Sequence, residues 1–310
     1  MPIKSCRLPG GGTGYQWGEH GHCYPTRAQA ERQAAAVHAS GWRGDAQLGV
    51  RTLRPVRPNA GLQAEYRRRL LALVDEMNES ITYWVKSQYR QHESAIVGDA
   101  NPVAALTKTL KELGERWVKK LTDGAKKLAA WHAKKSRTVT DISLKNTLSD
   151  IGFSVDFHMT PEMQTAYDAV IAEQVGLIKS IAQQNLTQVE TLVMQSVQAG
   201  RDLSTLAPEL EKRFGITRRR AELIARDQNN KATATLTRVR QKELGIKQAI
   251  WLHSHGGKTP RPSHVKADGS VYDIDKGMYL DGKWTWPGVE INCRCVSRSV
   301  KPGLEDLMGK

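Results

Sequence analysis

Residues 251–295 hold most of the side chains in this sequence that could do chemistry. His253, His255 and His264 come first, Asp268, Asp273 and Asp275 follow, and Asn292, Cys293 and Cys295 close the segment. Imidazole nitrogen and thiolate sulfur are the ligand types of structural zinc, usually in tetrahedral sets of four. His264, Cys293 and Cys295, with His255 or His253 as the fourth ligand, therefore form one reading of the segment. The Cys-x-Cys spacing is tighter than the gap usual in zinc knuckles, which counts against it. A disulfide between Cys293 and Cys295 would close a very small, strained ring. In the metal-free reading, His264 bonds to backbone inside a small loop-rich core and the cysteines pack around it. The same His, Asp and Asn residues would suit a metal-dependent nuclease, the alternative function for a basic chain. They fall on separate loops, however, with no helix carrying a second ligand pair. No P-loop, dinucleotide fingerprint, His-Glu-x-x-His or Gly-x-Ser-x-Gly motif is present. No cofactor other than the zinc reading is indicated.

The elements that must position these residues can be read around them. Ile246–Leu252 predicts a strand, and a loop-rich stretch runs from His253 to His264. Ala267-Asp268-Gly269 is a turn signal, followed by a second extended piece at Val271–Ile274. Trp284-Thr-Trp-Pro287-Gly288 then leads into Glu290-Ile-Asn292-Cys293-Arg294-Cys295.

Taken together, these motifs resemble a known family. A strand carrying Trp251, then Arg261-x-x-His264, then Asp268-Gly269, then Pro287-Gly288-x-x-Ile-Asn292-Cys293-Arg294-Cys295 is similar to the closing pattern of phage Mu-like minor head (head-morphogenesis) proteins. The helix from Arg220 through Arg226 and Asn229 to Leu244-Gly245 is similar to the one that introduces that pattern. Arg57-Pro-Asn-Ala-Gly61 resembles the start of such proteins. The resemblance is strongest over about 205–298 and fainter over 55–200. Other members often have a Cys where His264 stands. The family resemblance implies a non-enzymatic minor capsid protein acting in procapsid assembly, DNA packaging or delivery. Its implied partners are the portal, the major capsid or scaffold protein, and double-stranded DNA. Its implied location is the host bacterial cytoplasm during assembly and the inside of the virion head afterwards.

The rest of the chain reads as mainly α. The 310 residues carry a formal net charge of +14. An excess of that size favours polyanionic partners through steering and counterion release. No run of about 18 apolar residues exists to span a membrane, and Met1–Cys6 lacks the apolar core of a signal peptide. The four cysteines are too few for a disulfide scaffold. Residues 1–43 read as a small Cys/Gly-rich module, a β-hairpin followed by a helix over Arg27–Ser40. Cys6 and Cys23 there could form a metal half-site with His20 or His22. As small apolar fillers of a mini-core they fit a reducing cytoplasm better. Residues 44–60 read as an Arg/Pro linker and 61–245 as an elongated helical body. Residues 246–300 read as a small α+β, loop-rich C-terminal module, with 301–310 as a tail.

In the body, Leu62, Tyr66, Leu70, Met77, Ile81, Val85 and Tyr89 recur at helical spacing. Further helices are expected over about 103–135, 143–151, 160–199, 204–213 and 217–244, with an extended piece at Phe153–Phe157. Ten Lys/Arg against three acids lie between Lys108 and Arg137. A charge run is usually a solvated face, but its clustering on one helix makes Lys119, Lys120, Lys126 and Lys127 candidate DNA contacts. Arg218, Arg219 and Arg220 join them. Placed at the start of a helix, where cations are disfavoured, they would call for a partner.

Overall fold

The structure is a computed structural model that describes residues 3–8, 10–17, 23–32, 52–97, 103–200, 203–256 and 259–300. It divides into two compact units. The second half of the expected 27–40 helix, residues 44–51 of the expected linker, the turn at Gly98–Pro102, His20, His22 and the tail lie outside the described residues. Among the described residues the fold is mainly α, with small β elements near both ends of the chain.

One unit comprises residues 56–244 and 285–293. Its body is four helices: α1 (Ala60–Val97), α2 (Val103–Ser149), α3 (Pro161–Gln198) and α4 (Leu203–Glu243). α4 packs against each of the other three. The apolar stripes meet in one core that includes Tyr66, Leu70, Ile81, Leu121, Ile178, Val189 and Leu210. α3 starts where Thr160-Pro161-Glu162 predicts. The Thr160 side chain accepts the Met163 N–H and Pro161 occupies the first turn, where its missing N–H costs nothing.

Three expectations are corrected. α2 is a single helix to Ser149, running through the β-branched stretch Thr138-Val139-Thr140, because Ser136, Thr140, Leu144 and Leu148 are buried and hold it helical. α4 likewise runs unbroken through Gly215, which costs about 1 kcal/mol against Ala in a helix interior and is outweighed by packing at Leu210 and Thr217. Arg218, Arg219 and Arg220 therefore sit inside a helix and not at its positive end, and the helix dipole places no penalty on them. Residues 153–157 form no strand.

The core of this unit is also threaded by polar groups. Asn185 donates to Asn78 at 3.1 Å and receives the Thr217 hydroxyl at 2.7 Å, linking α1, α3 and α4. His132 stacks on Tyr66 with ring centroids 4.1 Å apart, and its Nε2 lies 3.3 Å from Asn229 Oδ1. Nearer the far end of α4, Arg240 is wholly buried. Its guanidinium grips Asp141 of α2 through Nε (2.8 Å) and Nη2 (3.1 Å). Nη1 reaches the His158 carbonyl and Glu243, at 2.8 and 2.7 Å.

The other unit comprises residues 1–55, 245–284 and 294–310. β1 (Ile3–Arg7) and β2 (Thr13–Trp17) form an antiparallel hairpin that turns through Gly11 and Gly12, both at positive φ. Cys6 and Cys23 are disulfide-bonded, in place of the packed free thiols expected from the sequence. Residues 27–32 are helical. A three-stranded antiparallel sheet has the order β4 (Val271–Asp273), β3 (Gln248–Leu252), β7 (Val296–Ser299). The Leu53 N–H donates to Ser299 O at 2.9 Å, so the Thr52–Leu53 part of the Arg/Pro segment lies along this sheet. A second hairpin joins β5 (Met278–Leu280) to β6 (Lys283–Thr285).

The buried polar groups set measurable stabilities. Arg240→Ala leaves the Asp141 and Glu243 carboxylates facing a buried gap, and chemical denaturation should show a loss of about 3–5 kcal/mol. Burial pushes the His132 imidazole down to about 4, against the opposing pull of its hydrogen bond to Asn229 Oδ1. The folded protein therefore keeps His132 neutral while the unfolded chain takes up a proton near 6.5. Stability should fall as pH drops from about 6.5 to about 4, by on the order of 3 kcal/mol from this group alone. Urea unfolding across that window should show a shallower slope in His132→Gln.

Candidate functional site

β3 places Trp251 at the centre of its small sheet, fully buried. The Trp251 carbonyl accepts the Gly269 N–H at 2.8 Å, and its own N–H donates to Ser270 O at 2.9 Å. These bonds fix the Asp268-Gly269 turn, in which Gly269 has φ +78°. The segment after Arg261, expected as loop, forms a short helix α5 (Pro262–Lys266). It carries His264 into the interior, edge-on to the Trp251 ring with centroids 5.1 Å apart. The Cys295 sulfur lies 3.7 Å from His264 Nδ1. Of the four candidate zinc ligands, His264 and Cys295 are thus brought together, one nitrogen beside one sulfur.

His255 is engaged elsewhere. Its Nε2 is 3.2 Å from Asp268 Oδ2, while Asp268 Oδ1 accepts the His253 N–H at 2.9 Å. The His255 N–H donates to His253 Nδ1 at 3.2 Å, at a backbone φ of +50°. Burial, and then the neighbouring His255, push the His253 imidazole below its ordinary range. Of the residues in the nuclease alternative, His253 and His255 thus both bond to Asp268. Asp273 instead accepts the N–H groups of Asp275 and Lys276, at 2.8 and 3.0 Å, as a turn-former. Arg294 donates to the Gly256 carbonyl.

The preceding motif residues have their own support in the helical unit. Pro287 and Gly288 are buried, and the Gly288 N–H points at the Cys293 sulfur at 3.3 Å. Asn292 adopts φ +60°, a left-handed conformation that Asn tolerates better than most residues. Three side chains of α4 hold it and its neighbour there. Asp227 accepts the Asn292 N–H at 2.7 Å, Arg226 donates to Asn292 Oδ1 at 3.0 Å, and Asn230 donates to the Cys293 carbonyl at 3.2 Å. Burial pushes the Asp227 carboxyl up, and the Asn292 N–H pulls the other way. Arg238 lies over the Trp286 ring, 4.0 Å from its centroid. These α4 residues were not singled out from the sequence. Their signal is the polar run Asp227-Gln-Asn-Asn230 at buried positions of a helix, where apolar residues are the norm.

The candidate DNA contacts divide into two groups. Lys119, Lys126, Lys127 and Arg219 are exposed, and no carboxylate pairs with any of them among the described residues. Lys120 pairs with Glu76 and Arg218 with Asp75, which neutralises both. Arg220 donates to Ser180 Oγ at 3.0 Å.

Residues 187–298 match the family model described as phage Mu protein F like protein. The match supports the phage Mu-like head-morphogenesis family, and it spans the end of α3, all of α4 and the motif-bearing segment after it. A Haemophilus influenzae protein of uncharacterized function is 27% identical over 264 residues, covering 84% of this chain. The aligned region spans 58% of that relative's length. No solved structure matches.

The α4 clasp makes Asn292 testable. Asn292→Gly keeps the left-handed backbone and removes only the Arg226 hydrogen bond. Asn292→Val forces a β-branched residue into that conformation. Thermal melting should place the valine variant about 1–3 kcal/mol below the glycine variant.

Proposed function

We propose that this chain is a minor capsid (head-morphogenesis) protein of a tailed phage or prophage, acting in procapsid assembly and in DNA packaging and delivery. The observation that carries the reading is the family match over residues 187–298, which covers the segment where the motifs lie. In this reading the Trp251–Cys295 segment is structural, and its His and Cys residues hold a loop-rich fold. The contacts with other molecules are made by the helical body. Its partners are the portal, the major capsid or scaffold protein, and double-stranded DNA. It is made in the host bacterial cytoplasm and ends inside the head. No helix among the described residues is long and apolar enough to cross a membrane.

The DNA contact is supported by charge placement. Lys119 and Lys126 are seven residues apart on α2, so two helical turns, about 10 Å, separate them along one face. Lys127 extends that face, and the whole-chain charge of +14 has the sign for approach to a phosphate backbone. Fluorescence anisotropy with a duplex should show affinity falling steeply as salt rises. Replacing Lys119, Lys126 and Lys127 with Gln should reduce the slope by about one for each phosphate left without its lysine. An affinity indifferent to salt would remove DNA from the reading. The assembly role is tested separately by co-purification with the cognate portal.

A further inference from the structure

The outer side of the α3–α4 pair in the helical unit carries an unusual lining. Ser180, Gln183, Gln184, Thr187 and Gln188 follow one another at three- and four-residue spacing on α3, a stripe that is polar and wholly uncharged. Gln183, Gln184, Thr187, Gln188 and Arg213 of α4 line a groove with about 450 Å³ of open space. The lining offers side-chain amide donors and one guanidinium and, among the described residues, contains no carboxylate.

Arg213 does not stand alone. Arg220 lies two turns further along α4, close enough that the two positive charges repel. Burial and that neighbour both weaken the hold of the Arg213 guanidinium on its proton. The Nε–H groups of Arg213 and Arg220 are both buried and have no hydrogen-bond partner among the described residues. The Ser180 hydroxyl takes up one Nη of Arg220 but supplies no negative charge. No ion pair with a carboxylate is found for either arginine among the described residues. By contrast, the adjacent Arg218 is paired with Asp75. Two guanidiniums held near each other without a counter-ion are costly unless an anion joins them.

We propose that this groove binds a phosphodiester of a nucleic-acid backbone, with Arg213 as the principal contact. The guanidinium fork matches phosphate oxygens bidentately. The Gln183, Gln184 and Gln188 side-chain amides can donate to phosphate or sugar oxygens without repelling them, while the Thr187 hydroxyl donates to the Gln183 carbonyl. Among the described residues no aromatic side chain lines the groove for a base to stack on, which suits reading the backbone and not the sequence. The choice of nucleic acid as partner rests on the proposed function. The groove itself is distinct from the lysine face of α2.

Two measurements on the full chain test the site and its partner separately. In the first, thermal melting is followed in inorganic phosphate and in chloride at matched ionic strength. Phosphate should raise the midpoint of the wild type, because a ligand of the native state stabilises it. It should not raise that of Arg213→Gln, whose own midpoint in chloride should be no lower than the wild type's once the repulsion is relieved. An equal response of the two proteins to phosphate, or no response in the wild type, overturns the site. In the second, Arg213→Gln should weaken duplex binding about tenfold, the effect expected for one charged hydrogen-bonded contact. If the wild type binds duplex and Arg213→Gln binds equally well, this proposal fails while the proposed function stands. If the wild type binds no nucleic acid, this proposal fails and DNA is removed from the proposed function, whose assembly role is tested by co-purification with the portal.

Discussion

Arg240 has almost no contact with water, yet it carries a full charge. Removing an ion from water is costly, and the cost is met only where the geometry is good and every remaining donor is used. Here Asp141 accepts two parallel bonds, and Glu243 and the His158 carbonyl take Nη1. The guanidinium also lies 4.7 Å from the Phe157 ring centroid. Glu243 in turn receives the hydroxyl of Thr160, the N-cap of α3. One charge therefore fixes α2, the entry to α3 and the end of α4 in a single arrangement. The polar contacts further down α4, at Asn229 with His132 and at Thr217 with Asn185, add conditions on the same packing. An apolar core of long helices tolerates sliding by a turn, whereas a set of buried hydrogen bonds does not.

That constraint has a consequence for the motif-bearing segment. With α4 fixed, Arg226, Asp227 and Asn230 present a prepared surface, and residues 285–293 fold against it. Asn292 is left-handed because its N–H and its side-chain oxygen are both claimed by α4. The Asn292–Cys293 part of the motif is held by packing and hydrogen bonding against α4. The neighbouring His264–Cys295 contact is of the same kind, a buried polar pair inside a small sheet-and-loop core.

Much of this is legible in the sequence, and what is not has a physical reason. The stripes from Leu62 to Tyr89 and from Val170 to Val197 announce α1 and α3, because apolar periodicity is written locally. Thr160-Pro161-Glu162 announces a helix start for the same reason. Gly215 and Thr138-Val139-Thr140 read as breaks because local propensity is all a sequence displays there, and tertiary packing overrides it. Asp281-Gly282 turns the β5–β6 hairpin with both residues at positive φ, a turn signal of the same type as Asp268-Gly269. The Arg240–Asp141 and Asp227–Asn292 bonds join residues far apart in the chain, and no spacing rule marks them. The charge run on α2 is visible in the sequence, but not which members are neutralised. Only the folded chain pairs Lys120 with Glu76 and Arg218 with Asp75.

In the proposed reading the motif segment is a structural element, and the helical body is the surface offered to nucleic acid and capsid partners. The most direct test of the proposed function is mass spectrometry of purified, DNA-filled heads induced from the genome that encodes this chain. The chain should be present in those heads at few copies relative to the major capsid protein, and heads assembled without it should be defective. Its absence from filled heads, together with normal heads in its absence, would contradict a role in head morphogenesis.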